Sequence, residues 1–222
     1  MVIKCFIFDL DQTLVNTLSR FYRVFNITLK DFNLKEITWK DFIVNYARDT
    51  LDRYIPRPYR REFWEIFLEK YSELIGEVEL IDGAEDCLRY LKRMFLSIVV
   101  VTGRRVPVAE VMYELAKVSL IQYVDATYTA ARIPFKDHVT NKILLFKKVL
   151  NDFMLEPSEA LVVADYRADI IASKSLKIKV IGVLTGLERE EVLRSLGASA
   201  VVYSVKELCT LLKSSKLISF TS

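Results

Sequence analysis

Two carboxylates separated by one residue leave the first apolar run of the chain, where FIFDLDQTL places Asp9 and Asp11 directly after residues 3–8. If the strand direction continues, side-chain alternation points both the same way, so both can act on one bound molecule. A carboxylate can attack phosphorus to form an acyl phosphate, and a second one can protonate the departing alcohol and then deprotonate water. The attack needs positive charge to offset repulsion between a carboxylate and an anionic ester. Thr102 and Gly103 follow another apolar run, residues 96–101 (LSIVVV), and Asp165 and Asp169 follow a third, residues 160–164 (ALVVA). Singly these are weak signals, because Asp commonly caps a turn, Thr can end a strand and Asp169 can be the N-cap of a following helix. Together they bring polar groups to the ends of three strands.

Short runs of this kind are how buried parallel strands read. Residues 180–184 and 200–203 extend the set, with 126–129 as a weaker candidate, and helical periodicity occupies 84–93, 108–117, 142–153 and 189–196. Strands alternating with helices predict an α/β fold, a Rossmann-like parallel sheet covered on both faces, with ligands beyond the carboxyl ends of the strands. Residues 15–81 break the alternation. They read as amphipathic helices with a turn at residues 55–58, and they hold half of the chain's aromatic residues, enough for a small core. The expected organisation is a catalytic core of residues 1–14 and 82–222 with an inserted helical cap domain, residues 15–81, that opens and closes over the site. The tail, residues 213–222, is polar enough to be poorly ordered.

FIFDLDQTL resembles the first motif of the haloacid dehalogenase-like hydrolase superfamily, an apolar strand ending in Asp-x-Asp-x-Thr. The resemblance implies that Asp9 is the nucleophile and Asp11 the acid and base of a phosphatase; dehalogenases of the family lack the second Asp. It matches Thr102 to the family's second motif, a hydroxyl that with the Gly103 backbone binds phosphoryl oxygens. It matches Lys142, with Lys136 as competitor, to the lysine that offsets charge on nucleophile and phosphate. Asp165 and Asp169 match the acidic pair, so that Asp9, the backbone carbonyl of Asp11 and one or both of that pair would hold Mg²⁺, a hard cation suited to oxygen ligands. Residues 180–208 also look like the family's closing segment. Three positions depart from the commonest pattern: Gln12, Ala164 and Lys177 stand where Gly is usual.

The implied activity is Mg²⁺-dependent hydrolysis of small-molecule phosphate monoesters. Its alternatives are a phosphomutase of the same superfamily, a haloacid dehalogenase, or a non-catalytic binding module. A receiver-type signalling domain also carries a phosphorylatable Asp but has no reason to carry a cap. The substrate would be a small phosphorylated molecule; no spacing in the insertion names it, and none fixes an oligomeric state.

Composition narrows the classes further. The 222 residues are 52% hydrophobic and 27% charged, the balance of a globular enzyme. A net charge of +3 arises from 32 basic and 29 acidic residues spread along the chain, so no stripe for nucleic acid stands out. The arginines at 53, 57, 60 and 61 lie among acids and read as a solvated helix face. The single His138 has no nucleophile motif beside it. Cys5, Cys87 and Cys209 stand singly in apolar contexts, as buried thiols of a reducing compartment do. No signal-peptide core or membrane-length run appears, so the expected location is the cytoplasm, away from membranes. Within the insertion, Tyr22 and Arg23 are candidate substrate contacts.

Overall fold

Strand β1, Cys5–Phe8, is four residues long and buried throughout. A computed structural model describes residues 2–134 and 136–214, so most of the tail expectation lies outside the described residues. After β1 come β2 (Val15–Asn16), helices α1 (Leu18–Asp31), α2 (Trp39–Tyr46) and α3 (Arg60–Glu73), then β3 (Glu79–Leu80) and α4 (Ala84–Arg93). The chain continues through β4 (Ser97–Thr102), α5 (Val108–Lys117), β5 (Ala126–Thr129), α6 (His138–Asp152) and β6 (Ala160–Ala164). It closes with α7 (Arg167–Ser175), β7 (Lys179–Val183), α8 (Glu190–Leu196), β8 (Ala200–Val202) and α9 (Val205–Lys213).

Six strands form one parallel sheet in the order β5-β4-β1-β6-β7-β8. β1 is central, with Phe8 opposite Val100 on one side and Val163 on the other, so the residues that follow these three strands emerge at one edge. The strand order reverses beside β1, where open α/β sheets bind ligands. The two-residue alternation sends Cys5, Ile7, Val99, Val101 and Val162 into a core shared with Leu145, Phe146 and Val149 of α6 and with Ile170 of α7. Burying each such large side chain contributes about 1.5–3 kcal/mol, which is what holds α6 and α7 to the sheet.

Five helices end alike. Asn33, Phe95, Ser119, Met154 and Lys177 take positive φ after α1, α4, α5, α6 and α7. In each case the next residue's N–H reaches back to a carbonyl five residues earlier: Leu34 to Leu29, Leu96 to Leu91, Leu120 to Leu115, Leu155 to Leu150 and Ile178 to Ser173. This is the Schellman ending, and in four of the five a leucine stands at both ends of the bond, as its usual apolar contact requires. Glycine is the ordinary occupant of the left-handed position. Here, with six glycines in the chain, other residues fill all five.

The chain divides into two compact units, Thr17–Val78 and the remainder. The remainder includes β2 and β3, which pair antiparallel through Val15 with Leu80 and Asn16 with Glu79. The helical unit has a core of its own. Phe21 lies between Phe67, Tyr46 and Phe42 at ring separations of 4.6, 5.0 and 5.7 Å, and Phe25, Phe42, Phe63 and Phe67 are buried. Arg20 lies over Tyr71 and donates to the carbonyls of Leu74 and Ile75 beyond α3. Tyr22 and Arg23 also serve this unit: the Tyr22 hydroxyl donates to the Ile37 carbonyl at 3.1 Å, and Arg23 pairs with Glu77 at 2.5 Å. Of the arginine cluster, Arg53, Arg57 and Arg61 are exposed, and Arg60 is half-buried and donates to the carbonyls of Asp52 and Ile55.

Candidate active site

Asp9 is the first residue past β1, and its N–H still donates to the Val163 carbonyl, at 2.9 Å. The chain then bends instead of continuing as a strand. The N–H groups of Leu14 and Val15 both reach the Leu10 carbonyl, and Gln12 turns at φ 55°. The left-handed turn gives a physical reason for glycine to be usual at this position. Here the Gln12 carbonyl accepts from the Thr185 hydroxyl at 2.5 Å, which ties the loop to the segment after β7. The two carboxylates therefore take different cations.

Asp9 is paired with Lys142. Helix α6 begins at His138, four residues before the periodic run, because Asp137 caps it by accepting from the Thr140 N–H at 2.8 Å and hydroxyl at 2.6 Å. The Thr140 hydroxyl and N–H hold the Asp137 carboxyl below the ordinary range. That fixed start places Lys142 in the second turn, 4% exposed, with Nζ donating to Asp9 Oδ1 at 2.6 Å and to the Val101 carbonyl at 3.2 Å. Lys136, the competing lysine, is exposed. Nζ also lies 2.6 Å from Asp169 Oδ1, but neither Asp169 oxygen makes a well-aligned hydrogen bond among the described residues. Asp169 is not the N-cap of α7; Tyr166 holds that position, and Asp169 sits inside the first turn with its N–H on the Tyr166 carbonyl. Asp165, at the end of β6, accepts from the buried Thr13 hydroxyl at 3.2 Å. Thr102 ends β4, 1% exposed, its hydroxyl accepting from the Arg104 N–H, and the Lys142 stem passes beside Gly103.

Two buried carboxylates, Asp9 and Asp169, thus share one ammonium, and a third, Asp165, is buried with only the Thr13 hydroxyl shown against it. Burial pushes Asp9 up to about 7, with Lys142 opposing and Asp169 and Asp11 adding to the rise. Burial, then the charges of Asp9 and Asp169, push Asp165 well above the carboxylate range. Asp169 is raised by burial against the pull of Lys142. Burial alone would lower Lys142, but Asp169 and Asp9 outweigh it and leave its pKa raised. The site has an excess of negative charge and hard oxygen donors, which fits a divalent cation such as Mg²⁺. Among the described residues no three acidic, His or Cys side chains form a ready cage. Mg²⁺ needs none, since it usually takes one or two carboxylates and keeps several waters.

Asp11 is more open and is gripped by Arg104, which sequence reasoning had passed over. Arg104 Nε donates to Asp11 Oδ2 at 2.8 Å, Nη2 bonds Asp11 Oδ1, and Nη1 donates to both oxygens of the buried Glu114 at 2.9 and 2.8 Å. The readable signal was Glu114 itself, a charge three residues after Val111 and next to Leu115 on the apolar face of α5.

A family model described as haloacid dehalogenase-like hydrolase matches residues 6–183. The chain belongs to the haloacid dehalogenase-like hydrolase family. A Clostridium perfringens relative named "Putative pyrophosphatase PpaX" is 29% identical over 191 residues, covering 82% of this chain and 84% of its own. Two solved structures superpose closely. One is the haloacid dehalogenase-like family protein SP0104 from Streptococcus pneumoniae, with TM-score 0.81, 16% identity, and coverage of 95% of this chain and 98% of that one. The other is titled as a predicted phosphoglycolate phosphatase from Haemophilus somnus, with TM-score 0.79, 21% identity, and the same coverage. These two likenesses carry the fold, an α/β parallel sheet of the haloacid dehalogenase-like type. No helix among the described residues is long and apolar enough to cross a membrane.

Proposed function

We propose that this hydrolase is a phosphatase that cleaves small-molecule phosphate monoesters by passing the phosphoryl group through Asp9. The observation that carries the reading is the split between the two neighbouring carboxylates: Asp9 is buried against Lys142, and Asp11 is more open against Arg104. An Asp9 oxygen attacks phosphorus as the bond to the alcohol oxygen breaks, and Asp11 gives that oxygen a proton. Asp11, protonated at the start, then takes a proton from the water that attacks the aspartyl phosphate, which releases inorganic phosphate, frees the Asp9 carboxylate and returns Asp11 to its acid form. Lys142 holds Asp9 in its attacking rotamer and offsets charge on the phosphoryl oxygens, to which Thr102 and the Gly103 backbone donate. Asp169 positions Lys142. Asp9, Asp165 and the Asp11 carbonyl would hold Mg²⁺, which when bound supplies the positive charge that lets a carboxylate approach an anionic ester. The helical unit, as a cap, would select among substrates. A cytoplasmic location belongs to the same proposal and rests on composition.

Inorganic pyrophosphate is a second substrate candidate, favoured by the name of the Clostridium perfringens relative. The test is phosphate release by purified protein with Mg²⁺ from a panel of metabolite phosphates that includes pyrophosphate and a sugar bisphosphate. Asp9→Asn should release none at wild-type stability, and EDTA should stop the wild type. Return of the phosphoryl group to a sugar phosphate would instead identify a mutase, and full activity in Asp9→Asn would remove the mechanism.

A further inference from the structure

Two of the chain's three cysteines meet between α4 and α9, where the Cys87 and Cys209 thiols are free and hydrogen-bond each other. The helices run side by side in one direction. Their contacts step from Gly83 against Lys206, through Cys87 against Cys209, to Tyr90 with the Lys213 ammonium 5.5 Å from its ring centre. A Cβ on Gly83, which takes φ 79°, would sit 2.5 Å from the Lys206 Cβ and 2.7 Å from its Cα, so the two backbones nearly touch there. The Asp82 and Lys206 ion pair, at 2.9 Å, closes over the contact. A disulfide needs Cα atoms within about 4.4–6.8 Å, nearer than the axes of ordinary helix pairs at about 8–10 Å. One turn along, Cys209 Sγ lies 3.9 Å from the Asp86 carbonyl, against the α4 backbone itself. The two thiols are unlike. Cys209 is drawn down to about 6, chiefly because it accepts the Cys87 hydrogen bond, with burial opposing and Lys213 helping. Cys87 is wholly buried and is pushed well up by giving that bond and by burial. Cys209 is 4% exposed and has the exposed Lys206, Thr210 and Lys213 around it on α9, whereas Cys5 lies in the sheet core and burial pushes it up to about 12.

We infer that Cys87 and Cys209 form a peroxide-responsive dithiol that closes into a disulfide between α4 and α9, with Cys209 as the reacting sulfur and Cys87 as the resolving one. The Cys209 sulfur attacks one oxygen of hydrogen peroxide and the O–O bond breaks. The other oxygen leaves as hydroxide, takes up the thiol proton as water, and Cys209 becomes a sulfenic acid. The Cys87 sulfur then attacks Cys209 Sγ, the S–O bond breaks, and the hydroxyl departs as water with the Cys87 proton. Two thiols and one peroxide give one disulfide and two waters, and the two electrons lost by the sulfurs reduce the peroxide. A thiol reductant reverses the bridge. When reduced, α9 is held to α4 by packing and an exposed ion pair; when oxidised, the last helix is tied covalently to the segment that leads into β4.

The experiment treats the full chain, folded and reduced, with hydrogen peroxide in buffer containing EDTA. Thiols titrated after denaturation should fall from three to one, Cys5, and the intact mass should drop by two hydrogens. A proteolytic map should join the Cys87 and Cys209 peptides, and dithiothreitol should restore both thiols. Because the bridge closes a long loop of the unfolded chain, the melting temperature of the oxidised protein should rise by about 4–16 °C over the reduced one. Cys87→Ala removes the resolving thiol, so Cys209 should gain two oxygens as a sulfinic acid. Cys209→Ala should leave Cys87 a thiol. The peptide map of the wild type decides by itself should either variant fail to fold. Three thiols surviving in the treated wild type, Cys209 oxidised to a sulfinic acid beside an intact Cys87 thiol, or a bridge joining two chains overturns the inference.

Discussion

Replacing Lys142 by methionine tests the charge balance on which the site is built. Methionine keeps most of the buried stem, so the change removes the ammonium with little new cavity. It strips Asp9 and Asp169 of a cation 2.6 Å from each and leaves the Val101 carbonyl without its 3.2 Å donor. Removing one partner of a buried pair costs about 3–5 kcal/mol. At about 2–4 °C per kcal/mol for a chain of this length, the melting temperature should fall by about 6–20 °C. The loss should depend on pH. Asp9 already stands near 7 in the folded state, against 3.8 for an ordinary Asp, chiefly through burial, with Lys142 holding it down. The folded state thus binds more protons than the unfolded one between those values, so stability declines as pH rises through that window. Without Lys142 the folded value moves higher and the decline extends further upward. The variant should therefore lose more at about pH 8 than at about pH 6. The assay is thermal unfolding by circular dichroism in metal-free buffer at both pH values. A fall under about 3 °C at pH 8 would falsify the claim that Lys142 offsets this buried charge.

Other expectations follow from single contacts. A Cβ on Gly186 would sit 2.0 Å from Asp165 Oδ2 and 2.7 Å from its Cβ, so Gly186→Ala must displace Asp165. Mg²⁺ affinity, read as a thermal-shift titration, should weaken by about 10-fold or more. In wild type, Mg²⁺ at 100 times its dissociation constant should add about 2.7 kcal/mol of stability, and excess EDTA should abolish the gain. Lys177→Gly relieves a residue held at φ 59° and should raise stability by about 0.5–1 kcal/mol in urea unfolding; an unchanged midpoint would count against strain there.

Much of the core was readable because buried parallel strands are short apolar runs that stop at a polar residue. β6 and β5 fall at the expected residues, and the side chains expected past β1, β4 and β6 emerge at one edge. The misses have physical causes. The start of α6 depends on an Asp-x-x-Thr cap upstream of the apolar periodicity, and α7 opens on Tyr166 without a side-chain cap hydrogen bond. β2 and β3 are two residues each, and β3 is exposed, so no apolar pattern marks their pairing. The Arg104 fork is a tertiary contact across 93 positions to Asp11, beyond any local periodicity. Gln12 and Lys177, departures from the usual glycine, are both at positive φ, whereas Ala164 lies inside β6.

The short ladder of Val15 and Asn16 with Leu80 and Glu79 has a further consequence for how the chain folds and evolves. Once those residues meet, the polypeptide between β1 and α4 is closed at its neck, and the sheet experiences a tight excursion instead of a long, entropically expensive loop. Such a neck is a natural splice point. Segments of different length and chemistry could be exchanged between its two strands while the parallel frame keeps its register.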